Sequence, residues 1–203
     1  MRVLLFGFEK FDILPTNPSE DVVKRLSKSL ENIHDVRFEI LPTIFSGDDN
    51  SATRIEKAIM DFQPEMILGF GVSGRSRITI EAIALNKIDS PKKDNAGKIY
   101  RHIPIRPSSP LALETSFDVQ GLTHFLISKN IPATVSYFAD TYVCNFVYFH
   151  CLDFIREKGL DMPCVFIHIP PSPREVNALD ANYPSFPAEM IANAMGEYLN
   201  NQK

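Results

Sequence analysis

Hydrophobic and polar positions alternate along this chain in two periods, one of strands and one of helices. Val3 to Phe8 is a short apolar run, read as a buried strand. Asn17-Pro18-Ser19-Glu20 then has the makings of a helix start, with Asn17 as N-cap, Pro18 at the first helical position and Glu20 at the capping-box position. Val22, Val23, Leu26 and Leu30 continue at helical spacing. Val36, Phe38 and Ile40 alternate with Arg37 and Glu39, which predicts a strand. Ile55, Ala58, Ile59 and Phe62 mark a second amphipathic helix, stopped before Pro64. Met66 to Phe70 and Ile78 to Leu85 read as strands, with the glycine-containing stretch Gly69 to Arg75 between them. Residues Asn86 to Leu111 are rich in Pro, Lys, Ser and Asp and carry little periodicity, so they read as a functional excursion or a partly disordered segment. Further on, the pattern predicts a helix over Phe117–Lys129, a strand over Ala133–Tyr137, a long helix over Val143–Lys158 stopped by Gly159, an apolar strand over Cys164–Ile169 and a closing helix over Ala188–Asn200.

Strands and helices that alternate in this way predict an α/β chain, a three-layer α/β/α sandwich with a mixed, mostly parallel central sheet. A length of 203 residues suits one domain over 1–203, with an excursion at about 86–112. Twenty-one Lys and Arg against 25 Asp and Glu give a net charge of −4, which argues against nucleic acid or an anionic membrane as partner over a broad face. No apolar run approaches the roughly 20 residues of a membrane span. The opening residues lack the small-residue cleavage site of a signal peptide, and three cysteines without CxxC spacing do not make a disulfide framework. A cytoplasmic setting is the expectation.

In open α/β sheets, sites gather at the carboxyl ends of strands. That points to Gly7-Phe8, to Gly69–Arg75, to the residues after Tyr137 and to His168. Cys144 follows a strand at the start of a helix, where the helix dipole and free amides favour thiolate. It could equally be a small buried hydrophobe. His168 ends an apolar strand, as a core histidine or as a base. Glu81 interrupts an apolar strand, where a buried carboxylate needs a partner; a histidine ring is one, and solvent on a half-exposed strand is the other reading. Cys with His is the nucleophile-and-base pair of a thiol hydrolase. His150, Cys151, Cys164 and His168 could instead supply zinc ligands, but their spacing matches no common zinc pattern, so neither a metal nor a cofactor is expected. The glycine stretch fits neither a P-loop nor a dinucleotide fingerprint.

These residues and their flanks resemble the pyroglutamyl peptidase I family of cysteine peptidases over nearly the whole chain. Leu5-Phe-Gly7-Phe8-Glu9-Lys-Phe11 with Asn17-Pro18-Ser19 resembles the family's opening, and Leu41-Pro42-Thr43-Ile-Phe45 its PTVF segment. Gly74-Arg75 through Glu81 is similar to the segment with the acidic triad member, and Asp94-Asn95-Ala-Gly97 to its PDNxG loop. Thr141-Tyr142-Val143-Cys144-Asn145 resembles the nucleophile segment, and Phe166-Ile-His168-Ile-Pro170 the histidine segment. The resemblance implies removal of an N-terminal pyroglutamyl residue from peptides through a thioester, with Cys144 as nucleophile, His168 as base and Glu81 orienting His168. It also implies that Phe8 and Phe11 sandwich the lactam ring, with Thr43, Tyr142 and Val143 lining the same pocket. A flat, uncharged lactam suits apolar walls with a few amide-complementary hydrogen bonds. The family assembles as dimers or tetramers, so a homodimer or homotetramer is expected, with Phe146, Tyr148 and Phe149 serving core or interface.

Departures from the pattern bear on rate and substrate breadth. Ala82 stands where the family has Arg after its acid, and Ser90-Pro91-Lys92-Lys93 where it has an Arg before the loop. Transition-state charge stabilisation is then weaker, unless Lys92 or Lys93 substitutes. Gly71 lies in the changed glycine stretch, and Asp140 replaces a glycine four residues before Cys144. Asp tolerates left-handed backbone, but its charge opposes thiolate formation. The alternative to a peptidase is a weakened relative that binds pyroglutamyl or other cyclic-amide ligands.

Overall fold

The computed structural model describes residues 1–11, 15–179 and 182–202. In chain order the elements are β1 (Arg2–Phe8), α1 (Pro18–Leu30), β2 (Asp35–Leu41), α2 (Ser51–Phe62), β3 (Met66–Val72), β4 (Ile78–Glu81), β5 (Ile83–Leu85), β6 (Ile88–Ser90), β7 (Tyr100–Ile103), β8 (Ala112–Glu114), α3 (Val119–Ser128), β9 (Ala133–Ser136), α4 (Val143–Lys158), β10 (Cys164–Ile169), α5 (Pro173–Ala178) and α6 (Ala188–Asn200). A six-stranded sheet runs in the order β2-β1-β3-β10-β4-β9. All neighbours are parallel except β10 and β4, so the sheet is mixed and mostly parallel, as the alternation of elements predicts.

Side-chain parity divides the core into two layers. On one face Val3, Leu5, Leu68, Ile78, Ile80, Val165 and Ile167 pack under α1, α3 and α6. On the other, Leu4, Phe6, Phe8, Ile67, Cys164 and Phe166 pack under α2 and α4. The same period of two fixes the polar strand residues. Thr79 and Glu81 alternate with Ile78 and Ile80, and His168 follows Cys164 and Phe166, so all three share the α4 face. Within α4, Phe146, Tyr148 and Phe149 are buried in this chain's own core, which withdraws them as interface residues.

Two sequence expectations are corrected here. Ile78–Leu85 is not one strand. At Ala82 the backbone changes partners: its N–H donates to Ser136 O at 2.7 Å, while its carbonyl accepts from Thr115 N at 3.0 Å. Beyond that point β5 pairs antiparallel with β8, outside the main sheet. The Glu20 capping box is also not formed. Asn17 caps α1 by accepting from Ser19 N, and Glu20 instead pairs with Lys24 one turn on, at 2.6 Å. The segment that looked unstructured carries β6 and β7, paired antiparallel. Asp94 braces it by accepting from the amides of Ala96, Lys98 and Phe45.

Candidate active site

β1, β3 and β10 run parallel, and their carboxyl ends open on one cavity of about 410 Å³. Phe8, Val72 and His168 come from those ends, and Cys144 enters from the first turn of α4. Phe11, Thr43, Tyr142 and Val143 line the same space. All of the sequence-derived site residues except Glu81 therefore line one cavity, and Glu81 lies behind His168.

Glu81 is fully buried, so the solvent-facing reading is excluded. Phe166 lies opposite it in the antiparallel pair, which sets His168 on the diagonal. His168 Nδ1 meets Glu81 Oε1 at 2.8 Å. With the carboxylate accepting, Nδ1 carries the proton and Nε2 is the nitrogen left for exchange with the cavity. Burial pushes the Glu81 carboxyl up, but the His168 hydrogen bond and charge, together with the Ser136 and Thr79 hydroxyls, outweigh it and hold the group below its usual range.

The thiol behaves otherwise than its place in the helix suggests. Cys144 is partly exposed, unlike Cys151 and Cys164, which are buried. Its sulfur nonetheless lies hard against β3: a Cβ at position 71 would stand 2.8 Å from Sγ and 2.7 Å from the Phe166 ring. Gly71 thus makes room for the sulfur. Burial pushes the thiol up to about 12, and the Asp140 and Glu81 carboxylates add to the rise, while its own amide environment and Lys92 pull it back. The expected resting thiolate is replaced by a neutral thiol, because desolvation and two like charges outweigh one helix terminus.

The turn before α4 is held in place by the excursion. Thr141 Oγ1 donates to Asp89 O and Tyr142 OH to Lys93 O, each at 2.7 Å. Asp140 takes a left-handed φ of 68° and lines the cavity. Inside α4, Asn145 donates to the Leu85 and Lys87 carbonyls and accepts from Leu85 N, and Tyr148 OH donates to Glu81 O at 2.8 Å. Asn95 donates to Glu9 and to Lys10 O, and its amide to Thr43 O, so one loop fixes the Phe11 and Thr43 walls together. Thr43 Oγ1 is buried with no hydrogen-bond partner among the described residues, a hydrogen-bonding group left for a ligand.

Sequence reasoning missed Arg75 and the far wall. Arg75 donates to Glu81 Oε1 and Thr79 Oγ1, each at 2.7 Å. Its signal was a cation six residues ahead of a strand acid. Val176 and Leu179 bring α5 and its end into the cavity lining. The Ser172-Pro173-Arg-Glu175 capping box that starts α5 was legible and passed over. On the changed positions, Ala82 is buried and brings no cation to the cavity, whereas Lys92 lines it. The alternative zinc set does not assemble: His150 is engaged by Glu56 on the far side of α4, and no group of three potential ligands is gathered among the described residues.

The family model described as pyroglutamyl peptidase matches residues 1–199. A pyrrolidone-carboxylate peptidase of Thermococcus kodakarensis is 35% identical over 196 residues, covering 96% of this chain and 92% of that protein. One from Brevibacillus brevis is 31% identical, covering 95% and 88%. The crystal structure of pyrrolidone carboxyl peptidase from Fervidobacterium islandicum AW-1 superposes with a TM-score of 0.92 at 32% identity, covering 99% of this chain and 97% of that one. Pyroglutamyl peptidase I of Bacillus amyloliquefaciens gives 0.88 at 32% identity, covering 96% and 90%. With its fold and its cavity, this chain belongs to the pyroglutamyl peptidase family, cysteine peptidases that remove an N-terminal pyroglutamyl residue.

Proposed function

We propose that Cys144, His168 and Glu81 carry out this hydrolysis through a thioester, on peptides that begin with pyroglutamate. The observation that carries the reading is the 2.8 Å bond between buried Glu81 and a histidine that lines the same cavity as a partly exposed cysteine. Because the resting thiol is neutral, His168 removes its proton as sulfur attacks the carbonyl, rather than drawing on a standing thiolate. The C–N bond to the next residue then breaks, and imidazolium gives its proton to the leaving amine. Water, deprotonated by His168, resolves the thioester to pyroglutamate. Glu81 stays ionised throughout and stabilises the imidazolium. The Cys144 amide stands in the first turn of α4, where helix amides have no intrahelical acceptor, and it donates to the developing oxyanion.

Phe8, Phe11, Tyr142 and Val143 supply apolar walls for the lactam, and Thr43 Oγ1 one of its hydrogen bonds. Lys92 adds a cation to the cavity lining. The cytosol and a homo-oligomer complete the proposed setting.

A fluorogenic pyroglutamyl amide tests this. Release by the wild-type protein, lost in Cys144→Ala and in His168→Ala, is the expected result. Release that survives Cys144→Ala overturns the assignment. Absence of release by the wild type with retained binding of a pyroglutamyl peptide replaces hydrolysis with capture.

A further inference from the structure

Among the described residues, Glu81 Oε1 accepts from His168 Nδ1, Thr79 Oγ1 and Arg75 Nη1, with the Ser136 hydroxyl close by, while Oε2 is buried without a hydrogen-bond partner. A carboxylate held by one oxygen can pivot unless the donors around that oxygen are themselves fixed. Thr79 sits on the same strand and supplies no outside anchor. Arg75 does. Its Nη1 also reaches Ser136 Oγ on β9 at 3.2 Å, and its Nη2 donates to Phe138 O at 2.7 Å. Phe138 belongs to the segment that runs from β9 into the N-terminus of α4, six residues before Cys144. A single planar guanidinium therefore spans the acid end of the triad and the approach to its nucleophile. It is only partly exposed, and it lines the cavity.

We propose that Arg75 is a positioning residue for the hydrolysis, one that fixes the Glu81 carboxylate and ties it to the turn delivering Cys144. The inference rests on the roles assigned above to Cys144, His168 and Glu81. Two planar arms on one rigid group set a distance between Glu81 and Phe138 O that a point charge on a flexible stem does not. The charged and titratable groups that line the cavity with Arg75 are His168 on β10, Asp89 on β6, Lys92 beyond β6, Asp140 and Tyr142 ahead of α4, Cys144 in its first turn, and Tyr183, with the Arg75 partner Glu81 on β4 behind them. Asp89 is already engaged by Lys87, Arg101 and His102, so it does not compete with Glu81 for the Arg75 cation.

The test compares Arg75→Gln, Arg75→Lys, Cys144→Ala and His168→Ala on a fluorogenic pyroglutamyl amide, with kcat, KM and the pH profile of kcat/KM measured on the full chain. Arg75→Gln is expected to lower kcat about 10- to 100-fold, the cost of a misplaced catalytic group. KM should stay within about threefold, and the acid limb of kcat/KM should move to higher pH, since a cation beside the Glu81–His168 pair is gone. Arg75→Lys should keep the limb in place and still lose kcat, because an ammonium cannot hold both Glu81 and Phe138 O. A general loss of folded protein would scale the rate at every pH and leave the limb where it is. If Arg75→Gln does not fold, Arg75→Lys with wild-type kcat overturns the proposal by itself. It also falls if Arg75→Gln keeps wild-type kcat and pH profile, or changes KM alone. Should Cys144→Ala or His168→Ala retain release, the underlying roles fail instead.

Discussion

Two glutamate–histidine pairs among the described residues have nearly the same geometry and lie on opposite sides of α4. His168 meets Glu81 through Nδ1 at 2.8 Å and stacks edge-on against Phe166 at 4.9 Å. His150 meets Glu56 through Nδ1 at 2.9 Å and stacks against Phe146 at 4.6 Å. Their surroundings differ. Arg106 bonds Glu56, lies beside His150 and reaches toward Asp153 and Glu157, so the second pair is the centre of a network fastening the excursion to α2 and α4. The first pair opens on a cavity with a thiol in its wall. An acid–imidazole bond is thus common property of structure and catalysis; the neighbouring nucleophile and the space for a substrate separate the two.

Substitutions at matched positions should pull the two pairs apart. Cys144→Ala is expected to lower kcat by at least about 10⁴-fold in a pyroglutamyl amide assay, as removal of a nucleophile does. Glu81→Gln should lower kcat by about 10²- to 10⁴-fold, through loss of the correct histidine tautomer and of imidazolium stabilisation. Glu56→Gln should leave kcat within about twofold and lower Tm by roughly 2–4 °C, the scale of a modest partly exposed pair. Equal loss of activity in the two glutamate variants would erase the distinction.

Gly71→Ala sharpens the contrast from the cavity side. The new Cβ would stand 2.8 Å from the Cys144 sulfur, so the thiol or β3 must move. A stability loss of about 1–3 kcal/mol is expected from overpacking, with a fall in kcat of order tenfold from the displaced sulfur, measured by denaturant titration and by turnover. Asp140→Asn keeps a residue that tolerates the positive φ and removes a charge that raises the thiol. Iodoacetamide should then label Cys144 about threefold faster at neutral pH, and still ahead of Cys151 and Cys164.

The smallest effect is on acid stability. Burial raises both the Glu81 and Glu56 carboxyls, but their histidine partners and neighbouring donors leave each below its ordinary 4.5. The stabilisation from each is complete above that value and is lost as pH falls through the lowered one. Thermal melts from roughly pH 6 to roughly pH 3, the range in which carboxyls titrate, should show a decline below about pH 4.5 that is shallower in Glu56→Gln.

Much of the fold was written locally. The long helix ending at Gly159, the apolar strand with His168 at its end and the closing helix all show within their own windows, because each is apolar with a clear stop. The excursion was opaque for the opposite reason. The pairing of β5 with β8 and of β6 with β7 joins residues far apart in sequence, through three- and four-residue strands too short to show a period. His168 and Glu81 stood out because each is chemically out of place in an apolar stretch, and Cys144 because it opens a helix just after a strand. Arg75 lies in a polar turn, where arginine is ordinary, and only the folded contact with Glu81 distinguishes it. The raised thiol was equally hidden, since the proximity of Asp140 and Glu81 and the depth of the sulfur exist only in three dimensions.

The central claim is a covalent bond between Cys144 and the pyroglutamyl carbonyl. Acid quenching during turnover, followed by peptide mass analysis, tests it directly. One added pyroglutamyl group on the peptide containing Cys144, labile to hydroxylamine and lost in Cys144→Ala, is the predicted result. Turnover with the added group on Cys151 or Cys164 would contradict the account.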